Sequence, residues 1–251
     1  MDHHQAFNAV RDAYLVKLTK TRPEVRYLVI GANDGTKGDP LYKYTGHPKW
    51  RGTLFEPLPV PFAALRANYA DRPGATARNV AIVADTPGGK RTFYNVPSSS
   101  VLASFRPEII QRHMLMPEFQ HVATEMVAVE VDCLPVAEYA AEPDFAVPDV
   151  LMTDTEGYDF TLFQAWWALG WRPSFVEIEV IHITEAERVA IREALQHAGY
   201  ELFWYETDVF ALRGDTIEPE DLMLYRAARD QAISVYRLAE MLVQAGVKPK
   251  S

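Results

Sequence analysis

The chain has 251 residues, 48% of them hydrophobic and 24% charged, with a formal net charge of -9 at pH 7. This balance excludes a disordered chain, and no apolar run reaches the roughly 18 residues that a membrane-spanning helix needs. Excess negative charge also argues against nucleic acid as the main partner, because Lys and Arg supply most of the affinity for phosphates.

Residues 5–20 repeat apolar positions at helical spacing (Phe7, Val10, Ala13, Tyr14, Leu18) until Pro23 stops the pattern. An apolar strand over 25–30 follows and ends abruptly at Gly31-Ala32-Asn33-Asp34-Gly35. Further strand-like runs cover 52–55, 77–83, 149–153 and 174–180, with helix-like runs over 61–69, 134–141 and 160–169 between several of them. This alternation predicts an α/β fold with a mostly parallel sheet flanked by helices on both faces.

Two alternating runs, 91–96 and 126–131, predict an inserted β element between the third and fourth strands of that sheet. Between them lie Ser98-Ser99-Ser100 and a Met-rich, His-containing stretch over 105–121, which reads either as a cap over the site or as an ordinary surface insertion. Runs 200–205 and 208–212 read as an antiparallel pair closing the sheet. Residues 219–245 form one long helical pattern, suited to packing on its own domain or to pairing two copies as a homodimer.

At this length a single domain over 1–251 is the economical expectation, with an N-terminal helix (1–23), a catalytic core (24–214) and a C-terminal helical extension (215–251). The lone cysteine, Cys133, excludes an internal disulfide. The first residues lack a charged-then-apolar signal, so the expected location is the cytoplasm, with no membrane partner.

Glycine at positions 31 and 35 permits positive φ and leaves bare backbone toward a ligand, and Ala32 is small for the same reason. The pattern is G-x-x-x-G and lacks the middle glycine that seats a pyrophosphate on a helix N-terminus, which disfavours NAD and FAD. Asp34 would repel a pyrophosphate and attract a sulfonium or ammonium group, both of which S-adenosylmethionine carries. Its alternative role is to cap the turn through its own backbone. Glu56, about 20 residues beyond the glycine turn and followed by Pro57, sits where nucleotide-binding folds place a carboxylate for the ribose hydroxyls. Asn79-Val80-Ala81 offers an amide and small side chains to an adenine ring.

Acidic groups gather at the carboxyl ends of two strands, as Asp154-Thr155-Glu156-Gly157-Tyr158-Asp159 and as Glu177-Ile178-Glu179-Val180-Ile181-His182. Ligand sites of open α/β sheets form there. Alternation puts Glu177 and Glu179 on one face of their strand, a costly arrangement unless the charges are paired, metal-bound or beside a cavity. Asp154, Glu156 and Glu179 are candidate ligands for Mg²⁺, and Asp154, Glu179 and His182 are the candidate catalytic residues, His182 as general base. His113 and His121 compete for that last role, and Glu179 at an exposed edge or Asp154 to Glu156 as a helix cap are the plain alternatives.

Together, Ile30-Gly31-Ala32-Asn33-Asp34-Gly35 with Asp39-Pro40, Phe55-Glu56-Pro57, Asn79-Val80-Ala81 and Asp154-Thr155-Glu156-Gly157-Tyr158-Asp159 resemble the FkbM family of S-adenosylmethionine-dependent methyltransferases, over about residues 25–212. The resemblance implies a class I methyltransferase (Rossmann-like) fold with a seven-stranded sheet, one strand antiparallel, and O-methylation of hydroxyl groups, often on sugars or polyketides. It implies that Gly31, Ala32, Asn33 and Gly35 line the methionine part, Glu56 the ribose, and Asn79 and Val80 the adenine, with Asp154 and Glu156 beside the transferred methyl. One departure is Val29, where many members carry an acidic residue two places before the first glycine; Asp34 is the candidate substitute. The expectation is O-methylation of a small-molecule or oligosaccharide hydroxyl, with Mg²⁺ as a candidate aid. The rivals are an NAD(P)-dependent oxidoreductase and a non-catalytic assembly protein of the same fold.

Overall fold

The computed structural model describes residues 3–113, 115, 125–204 and 207–244. Seven strands form the main sheet in the order β10 (Tyr200–Trp204), β11 (Asp208–Arg213), β9 (Phe175–Glu179), β8 (Val150–Thr153), β1 (Val25–Ile30), β2 (Trp50–Phe55), β3 (Ala75–Arg78). Only β11 runs antiparallel to its neighbours. This is the sheet the resemblance implied.

β1 lies at the centre, and five of its six residues are buried, which is why it reads as an unbroken apolar run. Tyr27 and Val29 point to one face, packing with Phe7, Tyr14 and Leu15 of α1 (His3–Thr21) and Leu65 of α3 (Pro59–Asn68). Leu28 and Ile30 point to the other, against Leu162 and Trp166 of α6 (Asp159–Ala168) and Ile191 of α7 (Glu185–His197). The chain leaves β1 toward β2 on one side and returns through β8 on the other. Loops therefore diverge at the carboxyl ends of β1 and β8 and open a crevice between them.

The run over 77–83 is not one strand. β3 ends at Arg78, and β4 (Ala81–Val83) joins a second sheet of order β4-β7-β5-β6, with β5 (Gly89–Val96), β6 (Ser99–Ser104) and β7 (Val127–Pro135). Asn79 makes the break: its Nδ2 donates to the carbonyl oxygens of Glu56 (2.8 Å) and Pro57 (2.9 Å), which turns the chain out of the main sheet. The inserted β element is thus present, and it recruits the end of the expected third strand.

Residues 99–104, of which only Ser99 and Ser100 belong to the serine stretch read as part of a cap, pair with β5 because Leu102 packs with Val96 and with Ile110 of α4 (Pro107–His113). Beyond α4 most of the expected cap, with His121, lies outside the described residues. α7 escaped the periodicity reading, although Thr184 and Glu187 form a capping box at its start.

The long C-terminal pattern forms α8 (Pro219–Gln244), whose Tyr225 and Ala232 join the α1 core cluster. Lys17 pairs with Asp221, and the Tyr14 hydroxyl lies 2.6 Å from Thr216 Oγ1. Among the described residues no helix is long and apolar enough to cross a membrane.

Candidate active site

Where β1 ends, Gly31 has φ +85°, and a Cβ there would lie 1.7 Å from the Asp154 carbonyl oxygen. The backbone after β8 therefore demands this glycine on its own account. Gly35, at φ +73°, packs on α3, where a Cβ would meet Leu65 and Tyr69 side-chain carbons at 2.5 Å. Asp34 turns inward: its Oδ1 accepts from Thr36 N, Thr36 Oγ1 and Lys37 N, each at 2.9 Å. Burial pushes against its ionisation, but those donors and Lys37 prevail and hold the carboxyl below its ordinary value. The capping role expected as its alternative is the one the fold realises.

Glu56, at the end of β2, is 6% exposed, and its carboxylate ties two loops together. Oε2 accepts from Asn33 N at 2.9 Å and Oε1 from Leu58 N at 2.8 Å. Burial outweighs those two donors and pushes its pKa up to about 7. Each oxygen keeps a lone pair for a further donor.

These loops frame a cavity whose empty space, open mouth included, measures about 1120 Å³. Its wall runs from Gly31, Ala32 and Asn33 through Glu56 to Val80, Ala81 and Ile82, and on the other flank of the glycine turn to Asp154, Thr155, Glu156 and Tyr158. Phe93, Val101, Ala103 and Phe105, from the second sheet and the turn after it, complete the lining. Phe105 opens the stretch expected as a cap and Phe93 lies in the expected inserted run, whereas nothing in the sequence marked Val101 or Ala103.

Asp34, Gly35 and Asn79 do not reach this wall, Asn79 because its amide holds the backbone after β2. The acidic group beside the glycine turn is instead Asp39, whose Oδ1 accepts from Leu41 N (2.7 Å) and Oδ2 from the Tyr69 hydroxyl (3.1 Å). Burial raises Asp39 to about 6. It stood within the quoted motif, but spacing alone gave it no role.

The motif after β8 is shaped by its own last residue. Asp159, 1% exposed at the start of α6, accepts from Thr155 N with both oxygens at 3.2 Å. That turn holds Glu156 at φ +53°, a left-handed conformation that costs a non-glycine residue about 1–2 kcal/mol. The next residue, Gly157, packs against Ile109 and His182. The result aims Glu156 between the cavity and the end of β9.

Asp154, Glu156 and Glu179 each bring a carboxylate oxygen within 4.8 Å of the other two. Asp154 keeps contact with solvent through the cavity although protein surrounds it, and burial, then Glu156 and Asp159, raise its pKa well above the ordinary value. Glu156 is raised to about 8 by burial, then by Asp159 and Asp208. Burial, then Asp154, raises Glu179 further still. Glu179 and His182 do not line the cavity; they stand behind Asp154 and Glu156. His182 Nε2 is 2.9 Å from Glu156 Oε2 and 3.8 Å from Glu179 Oε1, and burial is the main reason its pKa falls below the ordinary histidine value. Glu177 points away to α1, where Arg11 Nη1 donates to it at 2.9 Å.

Residues 30–202 match the family model described as the methyltransferase FkbM domain. Over 104 residues the chain is 36% identical to the 31-O-demethyl-FK506 methyltransferase FkbM of Streptomyces tacrolimicus, a match spanning 41% of this chain and 38% of that protein's length. Solved structures similar to it include methyltransferase FkbM from Methylobacillus flagellatus (TM-score 0.47, 14% identity, 75% of this chain and 44% of that one). Human methyltransferase-like protein 13 in complex with SAH is another (TM-score 0.45, 10% identity, 100% and 95%).

Proposed function

Because this chain belongs to the FkbM methyltransferase family, with the class I fold and S-adenosylmethionine as methyl donor, we propose that it methylates a hydroxyl of a sugar or related metabolite. The observation that carries this reading is the acidic pair Asp154 and Glu156 opening on the same cavity as the Glu56 cradle.

The residues present fit the donor. Glu56 has lone pairs left for ribose hydroxyls, and Val80, Ala81 and Ile82 offer an apolar slot for a flat ring. Asp39, joined by Asp154 and Glu156 once a cation draws off their protons, sets negative charge around a cavity that must take a sulfonium and an ammonium, and would repel a pyrophosphate. Phe93 and Phe105 give the acceptor's C–H face a surface to lie on, while Glu156 meets its hydroxyl.

When bound, S-adenosylmethionine supplies a methyl carbon that an oxygen lone pair takes while the C–S bonding pair stays on sulfur. The chain's part is to hold the acceptor oxygen in line and to receive its proton. Glu156, on the cavity wall, is the proton acceptor in this reading, and His182 Nε2, 2.9 Å from its Oε2, holds it in place from behind. With the cavity empty, Glu156 retains its proton near neutral pH. A cation facing it lowers its proton affinity and turns it into a base.

Asp154, Glu156 and Glu179 would hold a hard divalent cation such as Mg²⁺, which acidifies a bound hydroxyl. The test is transfer from a methyl-labelled donor across a panel of hydroxylated acceptors, with and without EDTA. An alkali-stable methyl ether supports the reading; label found only on nitrogen, carbon or a hydrolysable ester overturns it. Full activity in EDTA would remove the cation from the scheme.

A further inference from the structure

The oxygen trio accounts for one side of Glu156; the other side meets two imidazoles. His182 follows β9, and its ring centroid lies 4.8 Å from that of His113, the last residue of α4. One ligand atom from each of His113, Glu156 and His182 lies within 4.8 Å of the other two. Next to them, Glu179 is 8% exposed, and its Oε2 is buried without a hydrogen-bond partner.

We propose that His113, Glu156 and His182 form a binding site for a divalent transition-metal ion of the Zn²⁺ type, which fastens the inserted segment to the floor of the cavity. Two histidines and one glutamate are a sufficient ligand set for such an ion and leave a fourth position open. With bonds of about 2.0–2.2 Å, tetrahedral ligand atoms stand roughly 3.3 Å apart. Glu156 and His182, 2.9 Å apart, need only part by a few tenths of an ångström, so the remaining adjustment falls to the His113 side chain.

The donor atoms also choose the ion. Imidazole nitrogen favours Zn²⁺, Co²⁺ or Ni²⁺ over Mg²⁺, whereas the adjoining trio offers oxygen alone. Both sets draw on Glu156, so the ion that binds decides whether that carboxylate turns toward the histidines or toward Asp154.

The segment carrying His113 is already docked on the loop it would be tied to. Ser104 Oγ donates to the Glu156 carbonyl at 2.7 Å, and Ile109 of α4 lies against Gly157. An ion would add a coordinate link between α4 and the ends of β8 and β9. Metal binding stands independently of O-methylation; only the value of the clamp to catalysis rests on that reading.

The test uses the full chain, stripped with a chelator and titrated with Co²⁺, Zn²⁺ and Mg²⁺ by visible absorption and calorimetry. S-adenosylhomocysteine is titrated into the same samples. The expected result is one Co²⁺ per chain with a visible d–d spectrum, displaced by Zn²⁺, and roughly 100-fold weaker binding of Mg²⁺. His113→Ala, a half-buried position at a helix end, should weaken Co²⁺ by roughly 10- to 100-fold, while Asp154→Asn should leave it nearly unchanged. No Co²⁺ spectrum, equal affinity in His113→Ala, or loss with Asp154→Asn instead would overturn the site. A protein that binds S-adenosylhomocysteine but no Co²⁺ sinks the metal site alone, and one that binds Co²⁺ but no S-adenosylhomocysteine sinks the methyl-transfer reading alone.

Discussion

Glu156 lines the cavity and His182 does not, yet His182 Nε2 stands 2.9 Å behind Glu156 Oε2. In the proposed mechanism the histidine therefore meets the reaction through the carboxylate, as its support and not as the direct base expected from the sequence.

Glu156→Gln should lower kcat by roughly 10²- to 10⁴-fold, the usual worth of a proton acceptor, with a small change in the donor's KM. His182→Gln should act in the same direction but less strongly, since it removes orientation and not the acceptor. Steady-state kinetics of both variants decide this; a larger loss in His182→Gln would restore the histidine as the base.

Binding the cationic donor should release protons, because Glu156 near 8 and Asp39 near 6 face a new positive charge. Calorimetry in buffers of different ionisation enthalpy measures the number released at pH 7. S-adenosylhomocysteine, whose sulfur is neutral, should release fewer. Equal release by both ligands would detach the carboxylates from the sulfonium.

Glu56→Ala should weaken donor binding by roughly 10- to 100-fold through lost charged hydrogen bonds. It should also cost stability, about 1–3 kcal/mol, because the amides of Asn33 and Leu58 lose their acceptor. Calorimetry and urea unfolding read the two effects separately. Unchanged affinity would reject the ribose role even if stability fell.

The ligand-free protein in EDTA should gain stability as the pH is lowered from about 8 toward 5. Burial, ahead of all other causes, raises Glu56 and Glu177 from 4.5 to about 7, the latter despite Arg11. Raised carboxyls favour the folded state while protonated; that advantage is full below 4.5 and is lost as pH rises through about 7. Urea midpoints across this range check the sign, and a stability that rises steadily with pH would contradict it.

Gly31→Ala should be among the most damaging single changes. The added Cβ would meet the Asp154 carbonyl oxygen at 1.7 Å on a residue with φ +85°, so the β1 and β8 ends must part, at a cost above about 3 kcal/mol. Gly38→Ala, with φ +68° and open space around it, should cost only the backbone strain of about 1–2 kcal/mol. Thermal unfolding of the pair separates the two causes.

What the chain discloses by itself is what depends on near neighbours. The apolar run from Val25 to Ile30, the glycine turn after it, the alternation of strands and helices and the acidic ends of β8 and β9 are all local patterns set by backbone periodicity and side-chain polarity. They were enough to indicate the sheet, its antiparallel strand and the face on which ligands gather. Which acidic group reaches the cavity was not legible. Asp34 and Asp39 lie five residues apart in similar company, and only folding turns one into its own backbone and the other onto the wall. Asn79 read as a ligand contact until Glu56 and Pro57 offered it their carbonyls. The aromatic wall of Phe93 and Phe105, and the meeting of His113 with His182, join segments far apart in the chain. Such contacts follow from the path of the insert across the crevice, which packing decides and sequence spacing does not encode.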